Sequence, residues 1–123
     1  MSEHRKIKHT GVQRIFRAAD ASIKGARYVF ENEAAFRQEI SLAAISIVTC
    51  LFACDDWFSL LAVISSWLMV LIVEILNTAI EAVVDRISLE QHPLSGAAKD
   101  LGSLAVALSL VNALGWWMYA IFV

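Results

Sequence analysis

The most constraining feature of this sequence is an apolar run over residues 57–73 that leads directly into a stripe of polar side chains. At about 1.5 Å per residue, a helix from Trp57 to Glu74 rises about 25 Å, close to the thickness of a bilayer core. If that helix continues, five polar residues share one face: Glu74, Asn77, Thr78, Glu81 and Asp85. A carboxylate near hydrocarbon is unfavourable in free energy unless it is paired, bound to a metal or exposed to water. The stripe is therefore either a functional site or a solvated helix face just outside the membrane.

The composition indicates a small integral membrane protein. Of its 123 residues 59% are hydrophobic, and the mean hydropathy is +0.63. The chain is too apolar for an ordinary soluble domain and too regularly patterned for a disordered one. One proline, five glycines and no internal repeat predict a single membrane domain, residues 1–123, of the all-α class. Cys50 and Cys54 suit small buried side chains, and nothing suggests a disulfide framework or a zinc site.

The pattern divides the chain into five segments. Residues 1–10 form a polar, basic lead in which His4 and His9 are expected to be solvated or to act as local caps. No apolar core follows until about position 40, so a cleavable signal peptide is not expected. Residues 11–31 predict an amphipathic surface helix with a basic polar face, typical of a helix lying in the membrane interface. The apolar face comprises Val12, Ile15, Phe16, Ala19, Ile23, Ala26 and Phe30. Three transmembrane helices follow, at 34–54, 57–87 (with an extension beyond the bilayer) and 93–123, the last opened by Pro93 and ending in aromatic residues.

The basic residues predict the topology. Eight of the ten Lys and Arg lie in residues 1–37, and the other two are Arg86 and Lys99, whereas the Asp55–Asp56 turn has none. The positive-inside rule then places the N-terminus and the 88–100 connection in the cytoplasm and the C-terminus outside. Acidic and basic side chains from all segments therefore gather at one cytoplasmic interface.

That set of residue types suits phosphoryl transfer to an acceptor in the bilayer. Two carboxylates with phosphate oxygens can hold Mg²⁺, a neighbouring Lys or Arg can bind phosphate, and a further semi-buried carboxylate can act as general base. No Gly-rich phosphate loop, Walker motif or kinase catalytic loop is present. A nucleotide site in this chain must be built from other parts.

Three segments, residues 32–39, 74–85 and 98–103, closely resemble the signature segments of the bacterial integral-membrane diacylglycerol kinases. The resemblance runs in the same order and spacing from about Arg14 onward. It implies a homotrimer of three-span subunits, each with an N-terminal surface helix, in the bacterial cytoplasmic (inner) membrane. It also implies phosphorylation of diacylglycerol to phosphatidic acid with ATP and Mg²⁺, by a fold unrelated to the soluble kinases.

The resemblance further assigns roles to residues. Glu74 matches the catalytic base, Asn77 matches the polar residue one turn beyond it, and Lys99 matches the phosphate-binding lysine. Glu33 and Glu81 match the metal-holding carboxylates. The nucleotide contacts implied are Arg14, Glu33, Glu81, Glu90, His92, Lys99 and Asp100. The lipid contacts implied are Arg14, Ser22, Glu39, Glu74 and Ser103.

Four positions depart from the family pattern, namely Asp20, Ala21, Ile23 and Leu104, and those in the surface helix affect details of lipid and nucleotide contact. Three rivals stay open. The first is an undecaprenol kinase with the same fold and chemistry. The second is a non-catalytic membrane assembly subunit in which the stripe joins helices through buried polar pairs. The third, a small ion channel, is disfavoured because the stripe reaches only the cytoplasmic end and the last span carries no charge.

Overall fold

The structure is a computed structural model that describes residues 10–123 and contains four helices. They are α1 (Gly11–Asn32), α2 (Ala34–Ala53), α3 (Trp57–Ile87) and α4 (Pro93–Phe122). The described residues include no β-strand. The predicted all-α class is therefore confirmed. The polar lead with His4 and His9 falls, apart from Thr10, outside the described residues.

Helix α1 is amphipathic. Its large apolar side chains are mostly exposed, with Ile15 at 70% and Phe16 at 71% of full accessibility, which suits a helix whose apolar face meets lipid. On the polar side, Lys24 Nζ lies 2.8 Å from Asp20 Oδ2, an ion pair between residues four apart. Asp20, which departs from the family pattern, therefore has a local partner on its own helix.

Helices α2, α3 and α4 are each long and apolar enough to cross a membrane, with 20, 31 and 30 residues. Helix α3 packs on both α2 and α4. The outer faces carry many exposed leucine, isoleucine and phenylalanine side chains, Phe52 at 90% being an extreme case. Because lipid tails are as apolar as these side chains, such exposure is expected of membrane helices. The prediction of three membrane-spanning helices is confirmed as far as length and composition decide it.

The most deeply buried side chains of this three-helix bundle are small or β-branched. Cys50, Val63, Val70 and Ala113 are fully buried, and small residues of this kind let helix backbones approach closely. Across the bundle, Trp117 Nε1 donates a hydrogen bond of 2.9 Å to Thr49 Oγ1, which joins α4 to α2. Trp117 therefore packs inward, whereas its neighbour Trp116 makes edge-to-face contacts with Phe58 and Tyr119.

Side chains fix the starts of α3 and α4. Asp56 caps α3, accepting hydrogen bonds from Ser59 N (2.8 Å) and Ser59 Oγ (2.7 Å). These bonds hold the pKa of the Asp56 carboxyl below its usual value of 3.8. His92 caps α4 by accepting from Leu94 N at 3.1 Å through Nδ1, and Pro93 follows at the first helical position, as predicted.

The expectation of two separate cysteines is wrong, because the structure joins Cys50 and Cys54 in a disulfide. Cys54 lies just past the end of α2 with extended backbone dihedrals (φ −96°, ψ 133°). The departure from helical geometry brings the two Cα atoms to 5.1 Å, within the usual disulfide range. Helical spacing alone does not show this, because it depends on where the helix ends.

Candidate active site

The polar stripe of α3 turns into the bundle at one end and out of it at the other. Glu74 is 4% exposed and Thr78 is 6% exposed. Asn77 and Glu81 are half-buried, and Asp85 is exposed. The alternative of a fully solvated helix face therefore fails at Glu74, where a carboxylate is buried between helices. Burying a carboxylate without a compensating partner is costly, which marks this end of the stripe as a candidate site.

A second carboxylate, Glu39 of α2, is buried beside Glu74. It is 5% exposed and lies close enough to Glu74 for the two carboxyl groups to interact electrostatically. Glu39 occupies the inward face of α2 together with Phe36 and Ala43, at the three- and four-residue spacing of one helix stripe. Glu39 is the one acidic residue among the buried residues of α2, and packing does not explain its presence there.

Two further carboxylates lie within electrostatic range of Glu74. Glu33, at the start of α2, and Glu81, two turns beyond Glu74, both interact electrostatically with Glu74. Glu33 is the N-cap residue of α2, yet its side chain makes no capping hydrogen bond. Its carboxylate is therefore not used to cap the start of α2 and can contact a ligand.

Three polar atoms in this region are buried without a hydrogen-bond partner. They are Glu39 Oε2, Asn77 Oδ1 and Thr78 Oγ1. Trp67 Nε1, seven residues before Glu74 on α3, is a fourth such atom. An unpaired buried polar atom costs about 1–3 kcal/mol, and most buried polar atoms in folded proteins are paired. A cluster of unpaired atoms around Glu74 therefore retains hydrogen-bonding capacity for a substrate or for water.

Helix α4 contributes the basic side of the site. Lys99 Nζ lies 2.7 Å from Asp85 Oδ1, so an ion pair joins α4 to the outer end of the α3 stripe. The next residue, Asp100, is exposed, and so is Ser103. Between them Gly102 is buried against Asn77.

A cavity of about 620 Å³ opens beside Lys99 at the α3–α4 connection, a volume within the usual range of small-molecule sites. Its lining includes Asp85, Glu90, His92 and Lys99, so three of the predicted nucleotide contacts meet there. His92 Nδ1 is already used as an acceptor by the cap. A neutral ring then carries its proton on Nε2, which leaves a donor for a ligand.

The other predicted residues lie on α1. Arg14 and Ser22 are both exposed, and the Ser22 hydroxyl donates to Ala18 O at 2.8 Å, one turn back along the same helix. The structure therefore brings together the acidic residues of α2 and α3 and, separately, Lys99 with the cavity residues. Arg14 and Ser22 belong to α1, which lies outside the compact unit formed by residues 33–123.

Two features of the site were missed by reading the sequence. One is Asp85 as the partner of Lys99, although a carboxylate on the stripe and a lysine after the next helix start were both visible. The other is the contact of Gly102 with Asn77, whose only sequence signal is a small residue in an apolar span.

The metal prediction concerns Glu33 and Glu81. Within residues 10–123, no three or more His, Cys, Asp or Glu side chains group in a way that could hold a metal ion. A carboxylate pair such as Glu33 and Glu81 would need phosphate oxygens to complete a Mg²⁺ site, which is the usual Mg²⁺ arrangement.

Comparison with known proteins identifies the family. The sequence profile of the prokaryotic diacylglycerol kinases matches residues 20–121. A diacylglycerol kinase of Escherichia coli K12 is 49% identical over 108 residues, which cover 88% of each chain. Diacylglycerol kinases of Pseudomonas aeruginosa (45% identity, covering 84% of this chain and 85% of the relative) and Haemophilus influenzae (43%, covering 84% and 87%) are similar over almost the same length. The chain therefore belongs to the prokaryotic diacylglycerol kinase family.

Proposed function

We propose that this enzyme transfers the γ-phosphoryl group of ATP to the hydroxyl of diacylglycerol, forming phosphatidic acid and ADP. Membership of the family supports a lipid kinase acting on diacylglycerol. The observation that carries the residue-level proposal is the burial of Glu74 among unpartnered polar atoms of Glu39, Asn77 and Thr78. A carboxylate buried at the end of an apolar span is suited to meet a hydroxyl whose acyl chains remain in the bilayer.

In the proposed reaction Glu74 is the general base. Its carboxylate accepts the proton of the lipid hydroxyl while the hydroxyl oxygen forms a bond to the γ-phosphorus. The bond from that phosphorus to the β–γ bridging oxygen breaks, and ADP leaves with the electron pair. Asn77, one turn along α3, orients the reacting groups. Positioning and charge neutralisation supply most of the acceleration in phosphoryl transfer, so the chain needs few groups of its own.

The nucleotide is proposed to lie between the acidic cluster and the cavity at the α3–α4 connection. Glu33 and Glu81 would hold Mg²⁺, which neutralises phosphate charge when bound. Lys99 binds a phosphate directly, with Asp100, Glu90, His92 and Arg14 as further nucleotide contacts. The support from the structure is that Glu90, His92 and Lys99 line one cavity and that Glu33 and Glu81 both interact with Glu74.

The lipid headgroup is proposed to contact Glu39 and Ser103 next to Glu74, with Arg14 and Ser22 contributed by the surface helix. The burial of Glu39 beside Glu74 supports the first of these contacts. We further propose that residues 1–123 form a single membrane domain in the bacterial cytoplasmic membrane. The N-terminus and the 88–100 connection would be cytoplasmic, the C-terminus would be periplasmic, and three copies would associate as a homotrimer.

The test is transfer of label from γ-labelled ATP by the purified protein in mixed micelles, with diacylglycerol and undecaprenol offered separately. Reactions run with and without Mg²⁺, beside Glu74→Gln and a matched Gln38→Glu variant on an exposed position of α2. We expect Mg²⁺-dependent labelling of diacylglycerol that falls roughly 10²–10⁴-fold in folded Glu74→Gln, the usual contribution of a general base. Gln38→Glu should retain activity.

Other outcomes separate the rivals. Preferential labelling of undecaprenol would mean that the reaction is as proposed but that the lipid acceptor is undecaprenol. No transfer to either lipid, with Glu81→Gln lowering only the unfolding temperature, would favour a non-catalytic membrane subunit. Light scattering of the detergent-solubilised protein measures the proposed trimer independently of activity.

A further inference from the structure

Gly102 differs from every other glycine of the chain in what surrounds it. A Cβ atom built on Gly102 would fall on Asn77 Oδ1 and lie 3.1 Å from Asn77 Cγ. The same construction at Gly11, Gly25, Gly96 and Gly115 meets nothing within 4 Å. Gly102 is also buried at the seam between α3 and α4. The absence of a side chain at this position therefore makes room for one particular group, the carboxamide of Asn77.

The carboxamide has no other support among the residues that the structure describes. Asn77 Oδ1 is buried and has no hydrogen-bond partner there, so no hydrogen bond to its oxygen holds the amide plane. A flexible asparagine side chain without a bonded partner is fixed by packing alone, and the packing surface is the backbone at Gly102. Asn77 lies one helical turn from Glu74, so its orientation sets the geometry beside the proposed base.

We infer that Gly102 is a positioning residue for the reaction, which acts by holding the Asn77 carboxamide against α4 in the orientation that the site requires. The inference rests on the proposed function, because it assigns Gly102 a role in that reaction. A methyl group at position 102 displaces the amide and leaves Glu74, Lys99 and the cavity residues in place. Turnover should therefore fall, while the binding of ATP and lipid changes little.

The experiment compares Gly102→Ala with Gly115→Ala, a glycine of the same helix that has open space around it. Both are assayed in mixed micelles with diacylglycerol and MgATP, together with Asn77→Ala and the double variant Asn77→Ala/Gly102→Ala. We expect Gly102→Ala to lower kcat at least tenfold with each KM within twofold of wild type, and Gly115→Ala to stay within twofold throughout. The double variant should match Asn77→Ala within twofold, because Gly102 acts only through Asn77.

A purely structural role gives a different pattern. If the double variant falls to the product of the two single losses, or if Gly102→Ala keeps more than half of wild-type kcat, the inference is overturned. Should Gly102→Ala fail to fold, Asn77→Ala/Gly102→Ala must recover the wild-type unfolding temperature, since it removes the displaced amide. If the double variant also fails to fold, Gly102 is needed only for the close packing of α4 against α3, and the inference is wrong. An inactive wild type would instead overturn the proposed function.

Discussion

The ammonium group of Lys99 lies 2.7 Å from Oδ1 of Asp85 and so ties the basic residue of α4 to the outer end of the α3 carboxylate stripe. Both side chains are nearly half exposed, at 42% and 49%, and exposed ion pairs are weak. The pair is therefore better suited to orienting Lys99 than to stabilising the fold.

Asp85→Asn should raise the KM for ATP about two- to fivefold while kcat stays within twofold, because the worth of an exposed ion pair corresponds roughly to this factor. Lys99→Met should abolish most activity. Asp20→Asn is the matched control, because Asp20 makes a similarly exposed pair with Lys24 on α1. An unchanged KM in Asp85→Asn would show that Lys99 needs no partner.

Glu39→Gln should separate stability from activity. A buried carboxylate oxygen without a partner is costly, and an isosteric amide carries no charge. We therefore expect the unfolding temperature in detergent to stay level or rise, while turnover with diacylglycerol falls at least tenfold. Gln38→Ala, at the exposed neighbouring position, should leave both quantities unchanged. A stable Glu39→Gln enzyme with full activity would remove Glu39 from the proposed lipid contacts.

The hydrogen bond from Trp117 to Thr49 predicts a stability effect far from the site. Trp117→Phe and Thr49→Val should each lower the free energy of unfolding, with a coupling energy of about 0.5–1.5 kcal/mol in the double-mutant cycle, as for other interhelical bonds in membranes. Chemical denaturation in mixed micelles measures it. Trp57→Phe is the control, because Trp57 is 78% exposed. Strictly additive losses would mean that the bond contributes nothing.

The Asp56 cap predicts a pH-dependent stability. Because hydrogen bonds from Ser59 lower the pKa of Asp56 in the folded state, its contribution is present above the usual pKa of 3.8. It is lost as the pH falls through the lower folded-state pKa. Asp56→Ala should therefore lower the unfolding temperature at pH 7, and the difference from wild type should shrink below pH 3.8. Asp55→Ala, which changes the exposed neighbour, is the control. A difference that persists at low pH would show that the ionised cap is not responsible.

Local spacing along the sequence was enough to predict much of this protein. Uninterrupted apolar stretches predicted three helices able to span a membrane, because a chain in lipid must satisfy its backbone hydrogen bonds within the helix. The period of about 3.6 residues placed Glu74, Asn77 and Asp85 on one stripe. Pro93 predicted the start of α4. The motifs at 32–39, 74–85 and 98–103 predicted the family, which the comparisons confirm.

Contacts between helices needed the tertiary structure, because they depend on how each helix is rotated and shifted against its neighbours. That arrangement decided that Glu74 and Glu39 are buried together and Asp85 is left exposed to pair with Lys99. It also decided that Asn77 rests on Gly102. The position where α2 ends decided the disulfide, because Cys54 lies just past the helix and its extended backbone brings it close to Cys50. The sequence by itself determined which residues share a helix face, and packing determined which of those faces meet.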